Sequence, residues 1–224
     1  MGQGASIVRR EDLAARRGAD IVRGSWTKAD LWVSALPDGT PVVVKDFAAK
    51  PRIVRGWGRL QIAREVRFLR LLADLAEVPR LVARLDAHAL VMERLTGTPL
   101  FHFPVGPGCR PYLVELRRVL DVVQARGIAH LDLRGRENVM IEPGERVVVL
   151  DWAGALRLPP GSLRHRLLFG AIKAIDDSAY LKWKDMQDPE SLTDDDREFL
   201  RRFRRWRRLW PFNRKGVGWT RTDP

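Results

Sequence analysis

Apolar and polar residues recur along this chain in blocks that predict a β-rich first half and a helical second half. Leu31–Leu36 and Pro41–Lys45 are two β-rich runs around Pro37-Asp38-Gly39-Thr40, the pattern of a hairpin. From Gly58 to Leu75, residues Leu60, Ala63, Val66, Leu69, Leu72 and Ala73 recur at helical spacing, with Arg and Glu between them. Leu81–Leu85 and Ala89–Met92 then read as two short strands around Asp86-Ala87-His88. The predicted order up to about residue 94 is strand, strand, helix, strand, strand.

A Gly/Pro-rich connector, Thr96–Pro111, follows. Beyond it, Leu113, Leu116, Val119, Leu120 and Val123 share one face of a helix over Tyr112–Arg126. Gly127 stands where a left-handed C-terminal cap belongs. Val139–Ile141 and Val147–Leu150 form a second predicted hairpin around Pro143-Gly144-Glu145, and the chain from Ser162 onward reads as helical. The last helix opens on Thr193-Asp194-Asp195-Asp196, an N-cap with acids in the first turn, and stops at Pro211. No internal repeat interrupts this order. The expected organisation is an N-terminal lobe over 1–94, a hinge and connector over 95–111, and a C-terminal lobe over 112–224.

Charge and cysteine usage narrow the setting. The 224 residues carry 40 Lys+Arg against 28 Asp+Glu, a net +12, and 33 of the basic residues are Arg. Nine basic residues and two acids lie between Asp196 and Lys215, so the excess is concentrated in the tail. There, Phe199, Phe203, Trp206 and Trp210 fall within a stripe of about 60° at helical spacing, with the arginines opposite. Such a helix fits an anionic membrane surface or packing on the C-terminal lobe, with nucleic acid the weakest of the three readings. Cys109 is the single cysteine, which excludes an intrachain disulfide and leaves no Cys/His zinc pattern. No run of 18 or more apolar residues predicts a membrane span. The expected location is the cytoplasm, with peripheral contact at the inner face of a membrane through the basic helix as an option. Met1-Gly2-Gln3-Gly4-Ala5-Ser6 fits the loose N-myristoylation pattern as well as an ordinary flexible start.

Five polar residues carry the chemistry. Lys45 ends an apolar strand, where an ammonium can reach phosphate oxygens. Glu65 lies mid-helix on the face turned to the sheet and can hold Lys45 by an ion pair. Gly127-Ile128-Ala129-His130-Leu131-Asp132-Leu133 leaves a helix and delivers a His-x-Asp. Asn138 opens a strand, and Asp151 closes another before Trp152-Ala153-Gly154. A Lys for phosphates, carboxylate and amide oxygens for Mg²⁺, and a carboxylate to take a hydroxyl proton make up a phosphoryl-transfer set. His130 reads as a brace for the loop. His102 and Cys109 carry no partner pattern.

On these residues the chain resembles the protein-kinase-like superfamily over roughly Leu31–Leu156. The segments GIAHLDLRGRENVMI and VVVLDWAGAL are similar to its small atypical members, the RIO-type kinases and the bacterial lipopolysaccharide sugar kinases. The resemblance implies an α+β, two-lobed protein-kinase-like fold with a shortened, helical C-terminal lobe. It implies ATP and Mg²⁺ as cofactors, Asp132 as catalytic base, and Asn138 and Asp151 as metal ligands. Lys45 would anchor phosphate with Glu65 as its partner, and the hinge at Glu93–Leu95 would hold adenine through its backbone. Three features depart from the family. Five residues separate Asp132 from Asn138 where the family has four, which predicts a bulge around Gly135. The glycine expected directly after Asp-Trp arrives only at Gly154. No glycine-rich loop precedes Lys45, although Gly24-Ser25-Trp26-Thr27-Lys28 occupies its place.

The acceptor implied is a hydroxyl, either a protein Ser/Thr, as for RIO-like kinases, or a lipopolysaccharide core sugar. Only 73 residues follow Asp151 and no Ala-Pro-Glu segment is present, so the platform for peptide docking is reduced. The altered Asp132–Asn138 spacing and absent glycine loop keep a pseudokinase, or a nucleotide-binding scaffold that transfers nothing, as the rival class.

Overall fold

The computed structural model describes residues 8–208, with side chains to residue 205. Gly2, the Trp206 side chain, Trp210 and Pro211 lie outside the described residues. The chain divides into two compact units, Met1–Thr96 with Asp151–Gly154, and Gly97–Leu150 with Ala155–Pro224.

The first unit opens with helix α1 (Arg10–Ala15) and strands β1 (Asp20–Val22), β2 (Asp30–Ala35) and β3 (Pro41–Asp46). Helix α2 (Arg52–Leu71) and strands β4 (Leu81–Arg84) and β5 (Ala89–Glu93) complete it. The strands form one antiparallel sheet in the order β1-β2-β3-β5-β4. Alternation along β3 decides what each face carries. Val42 and Val44 turn to Leu13 of α1, Trp32, Ala89 and Val91. The other face meets Phe47, Val54, Ile62, Val66 and Leu90, so α2 lies against it. Lys45 points to that α2 side.

Two elements of this unit are absent from the expected order. Helix α1 has six residues and a single buried apolar side chain, Leu13, and β1 has three residues, too short for either to show periodicity. Helix α2 starts at Arg52, before the predicted Gly58. Leu60 and Ala73, expected in the core, are exposed. Leu60 and Leu69 are nine residues apart, about two and a half turns, and so lie on opposite faces. The inward face is instead Val54, Gly58, Ile62, Glu65, Val66 and Leu69. At Gly58 a Cβ would come within 2.4 Å of the Phe47 ring, so glycine is what lets the helix approach.

The second unit holds strand β6 (Thr98–Pro99), helix α3 (Arg110–Ala125) and strands β7 (Ile128–Ala129), β8 (Val139–Ile141), β9 (Val147–Val149) and β10 (Leu156–Arg157). Helices α4 (Leu163–Gln187) and α5 (Asp194–Arg208) follow. Strands β6, β8 and β9 form a three-stranded sheet and β7 pairs with β10. Leu113, Leu116, Val119, Leu120 and Val123 of α3 are all buried, and Gly127 closes the helix at φ +69°. The connector is tied to the end of α4, since Gln187 donates to the Leu100 carbonyl at 2.8 Å and its own carbonyl accepts from Gly106 N–H at 2.8 Å.

Helix α5 carries the predicted cap. Thr193 Oγ1 accepts from Asp196 N–H at 3.1 Å while the Asp196 carboxylate accepts from Thr193 N–H at 3.1 Å. Of its apolar stripe, Leu200 and Phe203 are buried, and Phe199 packs on the cluster of Leu181, Leu192 and Leu200. This part of the stripe is core, which removes it from any membrane-facing role. The amphipathic pattern was the same for both readings, and the contact with α4 is what separates them.

Candidate active site

In the first unit three charged residues converge. Lys45 Nζ lies 2.7 Å from Glu65 Oε2 and 3.0 Å from Asp151 Oδ1. Strand β3 presents Lys45 on the α2 side, and Glu65 sits in the middle of α2 on its inward face. Asp151 arrives from β9 at the entry to the short turn Trp152–Gly154. The Lys45 and Glu65 side chains are only 9% and 2% exposed, whereas that of Asp151 is 42% exposed. Burial alone pulls the Lys45 ammonium down, but Glu65 and Asp151 outweigh it and hold its pKa above the ordinary value. Burial raises the Glu65 carboxyl, with Asp151 adding to the effect and Lys45 partly offsetting it. Lys45 is thus a fixed cation with one carboxylate reaching outward beside it.

Helix α2 also grips the turn after Asp151. Arg64 Nε donates to the Ala153 carbonyl at 2.9 Å and its Nη2 lies 3.4 Å from the Gly154 carbonyl. Trp152 is fully buried. Asp151 itself has φ +60°, a left-handed conformation uncommon outside glycine but one that Asp tolerates. Neighbouring residues of one helix therefore hold both Lys45 and the Asp151 turn.

In the second unit the segment after β7 is pinned through its backbone. Asp176 of α4 is buried, and its carboxylate accepts from His130 N–H at 2.6 Å and Leu131 N–H at 2.8 Å. Leu131 is held at φ +66°, a strained value for a bulky residue that this pair of bonds stabilises. Burial raises the Asp176 pKa, opposed by His130 and by the two N–H donors. His130 is fully buried; its Nδ1 lies 3.2 Å from Asp132 N and its Nε2 2.8 Å from the Leu150 carbonyl. Trp183 Nε1 donates to the Leu133 carbonyl at 2.9 Å, and Arg134 donates to Ser178 Oγ at 2.9 Å. Asp132 is exposed at the centre of this braced segment.

The extra residue between Asp132 and Asn138 is absorbed by two successive turns. Gly135 N–H donates to the Asp132 carbonyl at 3.2 Å, and Asn138 N–H to the Gly135 carbonyl at 3.0 Å. Asn138 Nδ2 reaches back to the Asp132 carbonyl at 2.7 Å. A Cβ on Gly135 would lie 2.5 Å from Asn138 Nδ2, so glycine is required where the bulge was expected. Leu150 N–H donates to the Asn138 carbonyl at 2.9 Å, and Asp151 is the next residue.

The remaining predicted positions are placed as follows. Glu93 ends β5 opposite Val42, and its carboxylate accepts from Arg80 N–H at 3.0 Å. Leu95 follows, half-buried. The Gly24–Lys28 segment is a closed turn: Gly24 N–H donates to Asp30 at 3.1 Å, and Lys50 Nζ bonds Asp30 at 2.7 Å and the Gly24 carbonyl at 3.0 Å. A Cβ at Gly24 would meet the Ala29 carbonyl at 2.1 Å. Cys109 is buried beside the Pro104 carbonyl, away from these residues in sequence and in role.

No protein-family model matches the chain. Among solved structures, Rio2 kinase from Chaetomium thermophilum superposes with a TM-score of 0.61 at 14% identity, covering 86% of this chain and 64% of that one. The same kinase in its ADP/Mg²⁺-phosphoaspartate complex gives a TM-score of 0.60 at 14% identity, covering 86% and 62%. The chain has the protein-kinase-like fold. The fold resembles that of these RIO-type kinases, with a sheet-rich N-terminal part and a helical C-terminal part, and the chain spans under two thirds of their length. A curated relative, the tRNA dimethylallyltransferase of Stenotrophomonas maltophilia (strain K279a), is 29% identical over 161 residues, 66% of this chain and 46% of that protein.

Arg64 in the first unit, and Asp176 and Trp183 in the second, brace the segments described above, and none was singled out from the sequence. Asp176 lies 46 residues beyond His130 and Arg64 lies 89 before Ala153, so no local spacing marks them. The one available signal was an acid, Asp176, in the helical run between Ile175 and Ala179.

Proposed function

We propose that this kinase-like chain is an ATP-dependent phosphotransferase that moves the γ-phosphate to an acceptor hydroxyl. The observation that carries the reading is the buried Lys45, held between Glu65 and Asp151. An ammonium so fixed is suited to phosphate oxygens, because charge neutralisation and positioning are most of what phosphoryl transfer asks of a protein. Asp132 accepts the proton of the acceptor hydroxyl; its exposed carboxylate, on a segment immobilised by Asp176, His130 and Trp183, suits that role. The backbone from Glu93 to Leu95 receives adenine.

The donor set also suits Mg²⁺. The ion takes oxygen ligands, few of them from protein, and Asp151 with the Asn138 amide oxygen would supply them. When bound, Mg²⁺ neutralises charge on the phosphate oxygens. Among the described residues no cluster of three His, Cys, Asp or Glu side chains offers a site complete without a nucleotide.

The acceptor on this reading is a protein Ser/Thr, as the RIO-type form of the fold suggests. A core sugar of lipopolysaccharide is the second reading, favoured by the similarity of the segments 127–141 and 147–156 to the lipopolysaccharide sugar kinases. Purified chain with radiolabelled ATP and Mg²⁺, offered a protein lysate or a lipid extract, tests both. Label in protein supports the first acceptor and label in lipid the second. Nucleotide binding without label in either would make the chain a scaffold.

A further inference from the structure

The first unit exposes a face that is uncompensated among the described residues. On α2, Ile53 is 89% exposed, Trp57 58% and Leu60 49%. Their spacing of four and then three puts them on one side of the helix, opposite Val54, Gly58 and Ile62, which pack on the sheet. The segment Arg52–Arg64 carries four arginines and no acid. Among the described residues, the side chains of Arg52, Arg55 and Arg59 have no ion-pair or hydrogen-bond partner. This differs from α5, where Arg201 and Arg202 both pair with Glu198.

A second protrusion belongs to the same region. Trp26 is 71% exposed at the tip of the Gly24–Lys28 turn. The turn is fastened just ahead of α2 by Lys50, and Ala29 packs in one cluster with Val54 of α2. Lys28 beside it is exposed, and its side chain likewise has no partner.

We infer that this face, Ile53, Trp57 and Leu60 with Arg52 and Arg59 at its edge and the neighbouring Trp26, docks on an anionic phospholipid bilayer. Large apolar side chains flanked by unpaired arginines match the boundary between acyl chains and phosphate headgroups. Tryptophan is favoured at that depth, and guanidinium groups bond phosphate oxygens bidentately. Nucleic acid would engage the arginines and stack on the tryptophans, but it gives no reason for Ile53 and Leu60 to stand in solvent. Phe199, Leu200 and Phe203 of α5 are packed, so α2 supplies the apolar side of the contact proposed here.

The test is cosedimentation of the full chain with vesicles, either phosphatidylcholine alone or phosphatidylcholine with phosphatidylglycerol. Binding to the anionic vesicles only, weakening as salt rises, is expected. A combined Ile53→Ser, Trp57→Ser and Leu60→Ser variant should abolish it with the melting temperature unchanged, since these side chains are exposed. Replacing Arg52 and Arg59 by Gln should weaken partitioning by about fivefold per residue. Arg204→Gln with Arg205→Gln on α5 should leave it unchanged. Equal binding to both vesicle types, or to neither, would overturn the inference. So would binding that survives the α2 variants, RNA binding lost with the same arginines in the absence of vesicle binding, or self-association abolished by the apolar triple variant. Phosphotransfer plays no part in the measurement, so it stands or falls separately from the transferase reading.

Discussion

Lys45 in the first unit and Asp132 in the second are fixed by different kinds of interaction. Lys45 is held by charge: it is buried between Glu65 and Asp151, and removing it leaves the buried Glu65 uncompensated. Asp132 is held through its neighbours' backbone, by bonds from His130 and Leu131 N–H to Asp176 and from the Trp183 indole N–H to the Leu133 carbonyl. Its own carboxylate is exposed. The two regions should therefore fail differently when mutated.

The largest effect is expected at Lys45. Lys45→Met strands Glu65 in the interior and should lower stability by about 3–5 kcal/mol in denaturant titrations. Adding Glu65→Gln should recover most of that loss without restoring nucleotide binding. The pH dependence follows from Glu65, whose folded pKa is already above the ordinary 4.5 and loses its only offset in this variant. A carboxyl with a raised folded pKa stabilises the fold below its unfolded value and loses that contribution as pH rises through the folded one. The variant should therefore regain stability on acidification towards 4.5. A stability that is flat with pH would mean that Glu65 is not desolvated.

Asp176→Asn tests the other region. It keeps the size of the side chain but gives up one of two acceptor oxygens, leaving a buried N–H unpaired at about 1–3 kcal/mol. Transfer should fall with nucleotide affinity unchanged, and faster amide exchange should be confined to the segment around His130 and Leu131. Exchange spread over the first unit would contradict the separation.

Gly135→Ala should act more locally, because its Cβ meets Asn138 Nδ2. The expected readout is a weaker apparent affinity for Mg²⁺ with little change in melting temperature. The smallest effect is at Asp177, whose carboxyl lies below the ordinary 3.8: burial opposes this, but Lys173, Arg117 and Gln124 prevail. A depressed acid contributes stability above 3.8 that is lost as pH falls through its folded pKa, so Asp177→Asn should flatten the acid limb of a melting-temperature profile only below that value.

Much of this was legible in the chain. The alternation of Val42, Val43, Val44 and Lys45 sets which side of β3 the ammonium takes, and the helical spacing puts Glu65 on the facing side of α2. The spacing from Asp132 to Asn138 announced a distortion, and Gly135 is where it occurs. What was not legible depends on distant partners. Asp176, Arg64 and Trp183 act across 46 to 89 residues, and only the folded chain shows what they touch. Leu60 was assigned inward because a short list of apolar residues fits more than one face of a long helix. The stripe of α5 reads the same whether a lobe or a membrane covers it.

The central claim is that Lys45 binds phosphate and Asp132 takes the proton. It is tested most directly by measuring nucleotide affinity and single-turnover phosphate transfer on the same preparation of Asp132→Asn. The account predicts an affinity within about twofold of the unsubstituted chain and a transfer rate reduced at least about a hundredfold. Transfer at the unsubstituted rate would contradict it.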